Sequence, residues 1–514
     1  MYRFLCFFKH YRIRQVLTIM DTDTTKVEVP LSKDLQANDE YMRNLYKNCD
    51  DIKIRQFQFG SDYKQEALVV HCDSLVQEEK SNLLHQVIKD MPDFEAALSL
   101  AVSVQQIKVF FENKGVSSRP VMLLKNYNEL NANIVNGHIV LIFDKWDLAL
   151  SFDASSVEKR SVAEPQNEVV VVGPREGTIE NLQKNLGLIR SRLKTPDLKF
   201  IFKQTDSKSN TKFVYGYLDG TVKKEMLEEF ESRINKIKKE EILETSYIAE
   251  LIEESSITPF PQYRFTERPD VASASLLEGK IIILMEGTGT IVICPGLFNE
   301  FFQSASDYYQ RSVFSSIIRL VRFVGFILSL ALPSIYIALT TFHSELIPTV
   351  LLIALLDTRE GIPFPAIIEA LIMLFFFELL QEAGVRLPKP IGSTVSIVGA
   401  LIIGEASINA GLASPIMIVV IGLTGIASFS IPYYDFGFAA RLLRIPLMFL
   451  AAIMGGFGLF LGFILIFLHL SKLHVLKEPY LGTFTLNSTS LLKDGFFRLS
   501  LKKLLKHRST GKNV

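Results

Sequence analysis

The chain of 514 residues has no surplus of either charge, since 55 lysines and arginines stand against 55 aspartates and glutamates. Bulk charge therefore argues neither for nor against nucleic acid, and no nucleic-acid partner is expected. Its four cysteines, Cys6, Cys49, Cys72 and Cys294, are scattered without a C-x-x-C spacing. That argues against a zinc site or a disulfide framework and makes a reducing compartment the simplest setting for the soluble part. The eight histidines are equally dispersed: His71 and His138 fall on expected strands, His343 beside an apolar run, and His469 and His474 at the end of the last one. No Ser/His/Asp order, ligand cluster or phosphate loop points to catalysis, so no enzyme, cofactor or metal is expected. The opening MYRFLCFFKHYRIRQVLTI is basic and aromatic, but Lys9, His10, Arg12 and Arg14 interrupt it and no signal-peptide core follows. Two readings stay open: an extension ahead of a start at Met20, or a basic amphipathic arm on a membrane surface.

What is present divides the chain. The mean hydropathy of +0.24 averages two unlike halves, because most charges precede Arg319 and nearly all long apolar runs follow it. The expected architecture is an α/β soluble region of two related subdomains, then an all-α polytopic membrane domain. Expected boundaries are 1–30 for the extension, 31–135 and 136–256 for the subdomains, 257–317 for a Pro-rich connector and β-hairpin, 318–470 for the membrane domain and 471–514 for a basic tail.

Short Val/Ile/Phe-rich strands alternate with charged helical stretches from Ser32 to about Glu254. ALVVHCDSLVQEEKSNLL and FVYGYLDGTVKKEMLEEF read as one unit used twice: a strand ends at Asp73-Ser74 or Asp219-Gly220, then Val76 or Val222, then Glu79 or Glu225 in a helix. The aspartate would cap the helix and the small residue would permit the turn; a coincidence of common strand-turn-helix units is the other reading. NGHIVLIFDKWDLALSF (Asn136 to Phe152) and GKIIILMEGTGTIVICP read as β-hairpins. EVVVVGPREGTIENLQKNLGLIRSRL gives a buried strand, a turn at Gly173–Gly177 and a helix. A glycine turn before a helix can cradle phosphate, but the Gly-Lys-Ser/Thr of a Walker loop is absent, which favours a plain tight turn. In ITPFPQYRFTERPD, Pro259, Pro261 and Pro269 predict an extended connector.

Four full spans are expected, about Ile318–Phe342, Phe364–Gly384, Leu412–Ile431 and Ile445–Leu470. Two shorter apolar segments, Leu346–Asp357 and Thr394–Glu405, end in acids, Asp357 and Glu405, and read as re-entrant or interfacial pieces. Arg311, Arg319 and Arg322 before the first span, and Lys472, Lys477 and the basic tail after the last, place both ends in the cytoplasm. Arg441 and Arg444 would then lie outside, against that topology. Ala451-x-x-x-Gly455 and Gly458-x-x-x-Gly462 are small-residue pairs that let helices approach, within or between subunits.

A string of motifs is more specific: EKRSVAEPQNEVVVVGPREG, NLGLIRSRLKTPDL, ITPFPQYRFTERPDV, LLEGKIIILMEGT, FFQSASDYYQR, REGIPFPAIIEALIM, ELLQEAGVRLPKPIGSTVSIVGALIIG, GLASPIM and ARLLRIPLMFLAA. From about Asp51 to Leu481 the chain resembles the A subunit of a spore germinant receptor of the GerA family. The resemblance implies a multi-pass protein of the spore inner membrane, and the basic residues at both ends would then put the soluble region and tail on the core side. It implies a transporter-like B subunit that takes the small-molecule germinant, a lipoprotein C subunit, membrane lipid around the spans, and A subunits assembled as a homo-oligomer, with a pentamer as the candidate state, around a pore for monovalent cations. Departures are Leu374 where an acid is usual, Thr178-Ile179 where Phe-Thr is usual, and Gly404-Glu405 where Gly-Gln is common; these put the pore charge in doubt.

The expected function is therefore a nutrient-gated cation channel subunit that triggers germination. A transporter-like subunit, or a soluble germinant sensor without its own pore, are the alternatives. The candidate pore or gating residues are Glu369, Glu378 and Glu382 of IIEALIMLFFFELLQEAG, with Glu405 and Asp357 beside them. An acid at membrane depth is costly unless it faces protein, water or an ion. At 100° and 1.5 Å per residue, Glu369 and Glu378 lie on opposite faces about 13.5 Å apart, while Glu378 and Glu382 share a face. In a symmetric oligomer that face would form stacked acidic rings; the competing expectation pairs Glu382 with Arg386 and Glu378 with an arginine on another helix.

Overall fold

The computed structural model describes residues 29–59, 65–89, 104–113, 120–155, 172–386 and 404–482, with Pro165, Glu168, Gly399 and Arg498. These residues form two compact units. One holds the described residues up to Glu254 together with Tyr263–Pro295; the other holds Ser255–Gln262 and the described residues from Gly296 onward.

The first unit uses one plan twice. Its first copy runs α1 (Leu35–Leu45), β1 (Ile52–Phe59), β2 (Gln65–Cys72), α2 (Glu78–Lys89), α3 (Val104–Asn113), β3 (Met122–Leu124), α4 (Tyr127–Ile134), β4 (His138–Phe143) and β5 (Ala149–Asp153). The second runs α5 (Leu182–Arg192), β6 (Leu198–Gln204), β7 (Lys212–Leu218), α6 (Lys224–Lys236), α7 (Thr245–Ile252), β8 (Arg264–Thr266), α8 (Pro269–Leu277), β9 (Ile281–Met285) and β10 (Ile291–Cys294). The sheets share an order, β1-β2-β4-β5-β3 and β6-β7-β9-β10-β8, and their ladders are antiparallel. Equivalent bonds close equivalent hairpins: Asp73 N–H donates to Asp51 O at 2.8 Å, and Asp219 N–H to Asp197 O at 2.8 Å.

Alternation along the strands explains the layers. Ala67 and Val69 of β2 pack with Leu84, Val87 and Phe111 of α2 and α3. Leu68, Val70 and Cys72 turn the other way, toward Leu35, Leu130 and Ile134 of α1 and α4. A period of two thus covers the first sheet with helices on both faces. In the second copy Phe200, Val214, Ile282 and Ile293 pack against Leu186 and Ile189 of α5 and Leu276 of α8.

Both expected hairpins form, β4 with β5 and β9 with β10, but each completes a sheet. The hairpin assigned to residues 136–256 belongs to the first sheet, and the one assigned to the connector belongs to the second, because each sheet needs its last two strands to cover its core. The capping expectation for Asp219 also changes: its carboxylate accepts from Gly220 N–H at 2.9 Å, and α6 starts after Lys223 with no side-chain cap. Gly220, at φ 74°, supplies the turn. Most of the strand expected at residues 168–172 lies outside the described residues.

A buried ion pair joins the copies. Arg190 of α5 reaches Asp51, at the head of β1, at 2.8 Å with both side chains fully buried. The same guanidinium donates to Thr195 O and Leu198 O and lies 5.1 Å from the centre of the Phe200 ring. Around it, Cys49 Sγ faces Leu198 O and Cys72 Sγ faces Asp51.

In the second unit the principal helices are α9 (Ser312–Thr341), α10 (Thr349–Arg359), α11 (Ala366–Arg386), α12 (Pro415–Phe429) and α13 (Tyr434–Lys472). Among the described residues two helices, α9 and α13, are long and apolar enough to cross a membrane, so four full crossings do not follow. The 15 residues of α12 fall short of the roughly twenty a crossing needs, and α11, with 21 residues, carries three glutamates and an arginine. The segment 394–405 lies mostly outside the described residues.

The expected single span at Ile445–Leu470 is replaced by a bend. Gly455 breaks α13 at φ 60°, ψ −140°, a conformation that suits glycine. A Cβ on Gly458 would overlap Leu450 O, and one on Gly462 would overlap the Leu447 side chain. On a straight helix those partners would stand about 12 and 22 Å away along the axis. The helix therefore doubles back into two arms, and the glycines at 458 and 462 are where the arms touch. Phe436 and His469, near opposite ends of α13, accordingly both lie about 6 Å from Phe260 by ring centroid (6.1 and 6.2 Å). His343 secures the bend by accepting from Gly456 N–H at 3.1 Å, and a Cβ on Gly455 would sit 2.8 Å from that of Phe342. Ala451 is fully buried in the helical core.

Burial raises the Cys72 thiol to about 12, with Asp51 adding to the rise, and burial also pushes Cys49 and Cys294 upward. These groups stay protonated at pH 8, where the thiolate is the reactive form. Peptide mapping of the full chain after native treatment with iodoacetamide at pH 8 is expected to find Cys49, Cys72 and Cys294 unmodified, with modification only after denaturant. Labelling of Cys49 or Cys72 in the native protein would contradict the closed joint.

Candidate functional site

The acids singled out on α11 occupy three different environments. The helix begins directly after Pro365, whose carbonyl accepts from Ile368 and Glu369 N–H, so Glu369 falls in the first turn. It is fully buried. One carboxylate oxygen accepts from Ser414 N–H at 2.6 Å and Ser414 Oγ–H at 2.5 Å, and the other lies 3.7 Å from Arg359 Nη2. Ser414 in turn caps α12 by accepting from Met417 N–H, with Pro415 at the first helical position. Glu369 thus ties the end of α10 and the start of α12 to α11, where the positive end of α12 favours a carboxylate. Tyr336 of α9 is buried beside this knot.

Glu378 bonds Arg441 of α13 at 3.2 Å, with 40% of the glutamate side chain exposed. Arg441 also lies over the rings of Tyr434 and Phe438, at 5.1 and 5.3 Å. Glu382 pairs with Arg386 one turn along at 2.6 Å, both well exposed. The two acids that share a face therefore each have a cation within this chain. Asp357 of α10 and Glu405, in the helical stretch 404–409, are exposed. Leu374 is buried in the helical core.

Arg441 and Arg444 precede the expected last span but are already helical. Both lie inside the first arm of α13, Arg444 buried and donating to Ser329 O at 2.6 Å. Arg319 and Arg322, read as flanking charge, also form a site of their own: both bond Asp307 Oδ2, at 3.0 and 2.7 Å. Asp307 is the aspartate of FFQSASDYYQR, which explains why that motif precedes the arginines. Arg498 donates to Tyr308 O and Gln310 O nearby.

In the first unit the Gly173–Gly177 turn is latched. Arg268, fully buried, donates to Pro174 O at 2.9 Å and bonds Asp270 at 2.8 Å. Thr178 donates through N–H and Oγ–H to Glu267 O, and its hydroxyl also reaches Gly289 O. The α5 cap is separate, with Asn181 accepting from Lys184 N–H. PREG and ERPD are thus two halves of one fastening, and the turn does not open onto a helix terminus as a phosphate cradle does.

Sequence reasoning missed Arg359, Ser414, Asp307 and Arg268. The Ser-Pro pair at 414–415 was a legible helix start; the partners of the others depend on tertiary approach.

The chain matches the GerA family model, described as Bacillus/Clostridium GerA spore germination protein, over residues 40–510. It is 40% identical over 469 residues to the uncharacterized membrane protein YfkQ of Bacillus subtilis, covering 91% of this chain and 90% of that one. Spore germination protein KA of Bacillus subtilis is 38% identical over 471 residues, covering 92% and 85%, and GerLA of Bacillus cereus is 33% identical over 459 residues, covering 89% and 92%. A crystal structure of the N-terminal domain of the A subunit of the Bacillus megaterium germinant receptor GerK3 aligns with 26% identity and a TM-score of 0.40, covering 53% of this chain and 99% of that domain.

The pairing hierarchy predicts a hierarchy of damage. Glu369→Ala leaves Arg359 and the cap of α12 without their acceptor and should lower stability by about 3–5 kcal/mol, as for a broken buried pair. Glu382→Ala should cost under about 1 kcal/mol, as for an exposed pair. Thermal denaturation of the full chain in detergent ranks the two; equal losses would contradict the assignment.

Proposed function

The chain belongs to the GerA spore germination family, and from that we propose that it is the A subunit of a nutrient germinant receptor in the spore inner membrane. In this reading several copies surround a path for monovalent cations, a transporter-like B subunit takes the germinant, and a lipoprotein C subunit completes the receptor. The helical unit crosses the membrane more than once, with the soluble unit and the basic tail on the core side. The observation that carries the reading is the helical unit's economy of charge. It commits three acids to one apolar helix and leaves two of them, Glu378 and Glu382, partly exposed on one face, where an acid at membrane depth needs protein, water or an ion opposite it.

Glu378 and Glu382 are the proposed cation-facing residues. Both keep part of the side chain exposed, at 40 and 54%, and share a helical face, whereas Glu369 is a structural tie. Asp357 and Glu405 are secondary candidates on the same grounds of exposure. The small residues of α13 at 458 and 462 pack within the chain.

Spores carrying Glu378→Gln with Glu382→Gln in the native receptor, challenged with rich nutrient broth, should release potassium at least tenfold more slowly than the parent, with receptor abundance unchanged by immunoblot. Unchanged release and unchanged potassium-over-sodium preference would sink the acidic-ring reading.

A further inference from the structure

Among the described residues of the principal helices, Arg444 is buried and has no ion pair with a carboxylate. It is 2% exposed, bonds Ser329 O through Nε, and keeps Nη2 buried with no acceptor. The charges acting on it are Glu378, which attracts it, and Arg441, which repels it. Arg441 and Arg444 stand three residues apart on one arm, about 4.5 Å along the axis and 60° around it. Exchange of the Glu378 carboxylate between them would have to cross that offset by a change of rotamer.

The two arginines differ in what they keep when the carboxylate leaves. Arg441 retains the faces of Tyr434 and Phe438, a cation–π environment that holds a guanidinium without an anion. Arg444 has a buried donor with nothing opposite, a costly condition that an arriving carboxylate relieves. Glu378 is partly exposed, while Glu369 at the other end of α11 anchors the helix to α12.

We propose that Glu378 has two seats, Arg441 as observed and Arg444 in a second state, and that exchange between them is the charge switch of this subunit. The consequence for flux rests on the channel reading above; the existence of two seats does not. In the Arg444 state the carboxylate withdraws from the exposed face into the helical core, so the exchange changes the charge presented along α11.

The test uses the purified full chain in detergent and in liposomes. With one seat, Glu378→Gln in the Arg441→Gln background removes only the attraction Arg444 already feels across space, and the thermal midpoint stays within about a degree of Arg441→Gln alone. With two, Glu378→Gln still lowers the thermal midpoint by a few degrees in the Arg441→Gln background, and that effect vanishes in Arg441→Gln/Arg444→Gln. If Arg444→Gln fails to accumulate, Arg444→Met fills the same space without charge and serves in its place. Rubidium leak without nutrient should move in opposite directions in Arg441→Gln and Arg444→Gln, at least tenfold apart. Absence of any Glu378→Gln effect in the Arg441→Gln background, or equal leak from both single variants when the parent conducts, overturns the proposal. If the stability pattern holds while every form is silent in flux, the two seats stand and the channel reading fails alone.

Discussion

A charge removed from water must be met by an opposite charge or a set of dipoles, and both units are organised around places where that requirement is satisfied. In the soluble unit Asp51 and Arg190 meet at 2.8 Å, and the copies are joined where the guanidinium also takes up Thr195 O and Leu198 O. In the helical unit Asp307 collects two arginines, Glu369 collects Ser414 and Arg359, and Glu378 collects Arg441. Each pair draws on different elements, so none forms until those elements have packed. The pairs therefore specify arrangement more than they add stability.

The soluble unit shows how far one local pattern reaches. The repeated strand-turn-helix stretch was legible because Asp, a small residue and Val recur at fixed spacing, and the structure extends that likeness to a nine-element plan with a common sheet order. Its full extent was hidden, since the equivalent elements share burial pattern and turn geometry but few residue identities. The carboxylate of Asp219 serves the turn itself, at Gly220 N–H, where a capping rule assigns it to the following helix.

In the helical unit, composition identified the apolar segments but not their course. The bend in α13 was missed because Gly455 sits inside an unbroken apolar run, and small residues spaced by four signal close approach without naming the partner. Here the partner is the other arm. The charge pairs were half legible: Glu382 with Arg386 follows from spacing of four, whereas Glu378 with Arg441 joins residues 63 apart and needed the fold. The lone seat at Arg444 carries no sequence signal at all, because an arginine looks the same whether or not its last donor is met.

The central claim is that copies of this chain make a selective path for monovalent cations. Single-channel recording from the purified full chain in a planar bilayer with asymmetric potassium and sodium chloride tests it most directly. The account predicts discrete conductance steps whose reversal potential marks selectivity for cations over chloride. A silent bilayer containing correctly assembled protein, or saturable uptake coupled to a counter-ion in place of current steps, would contradict it.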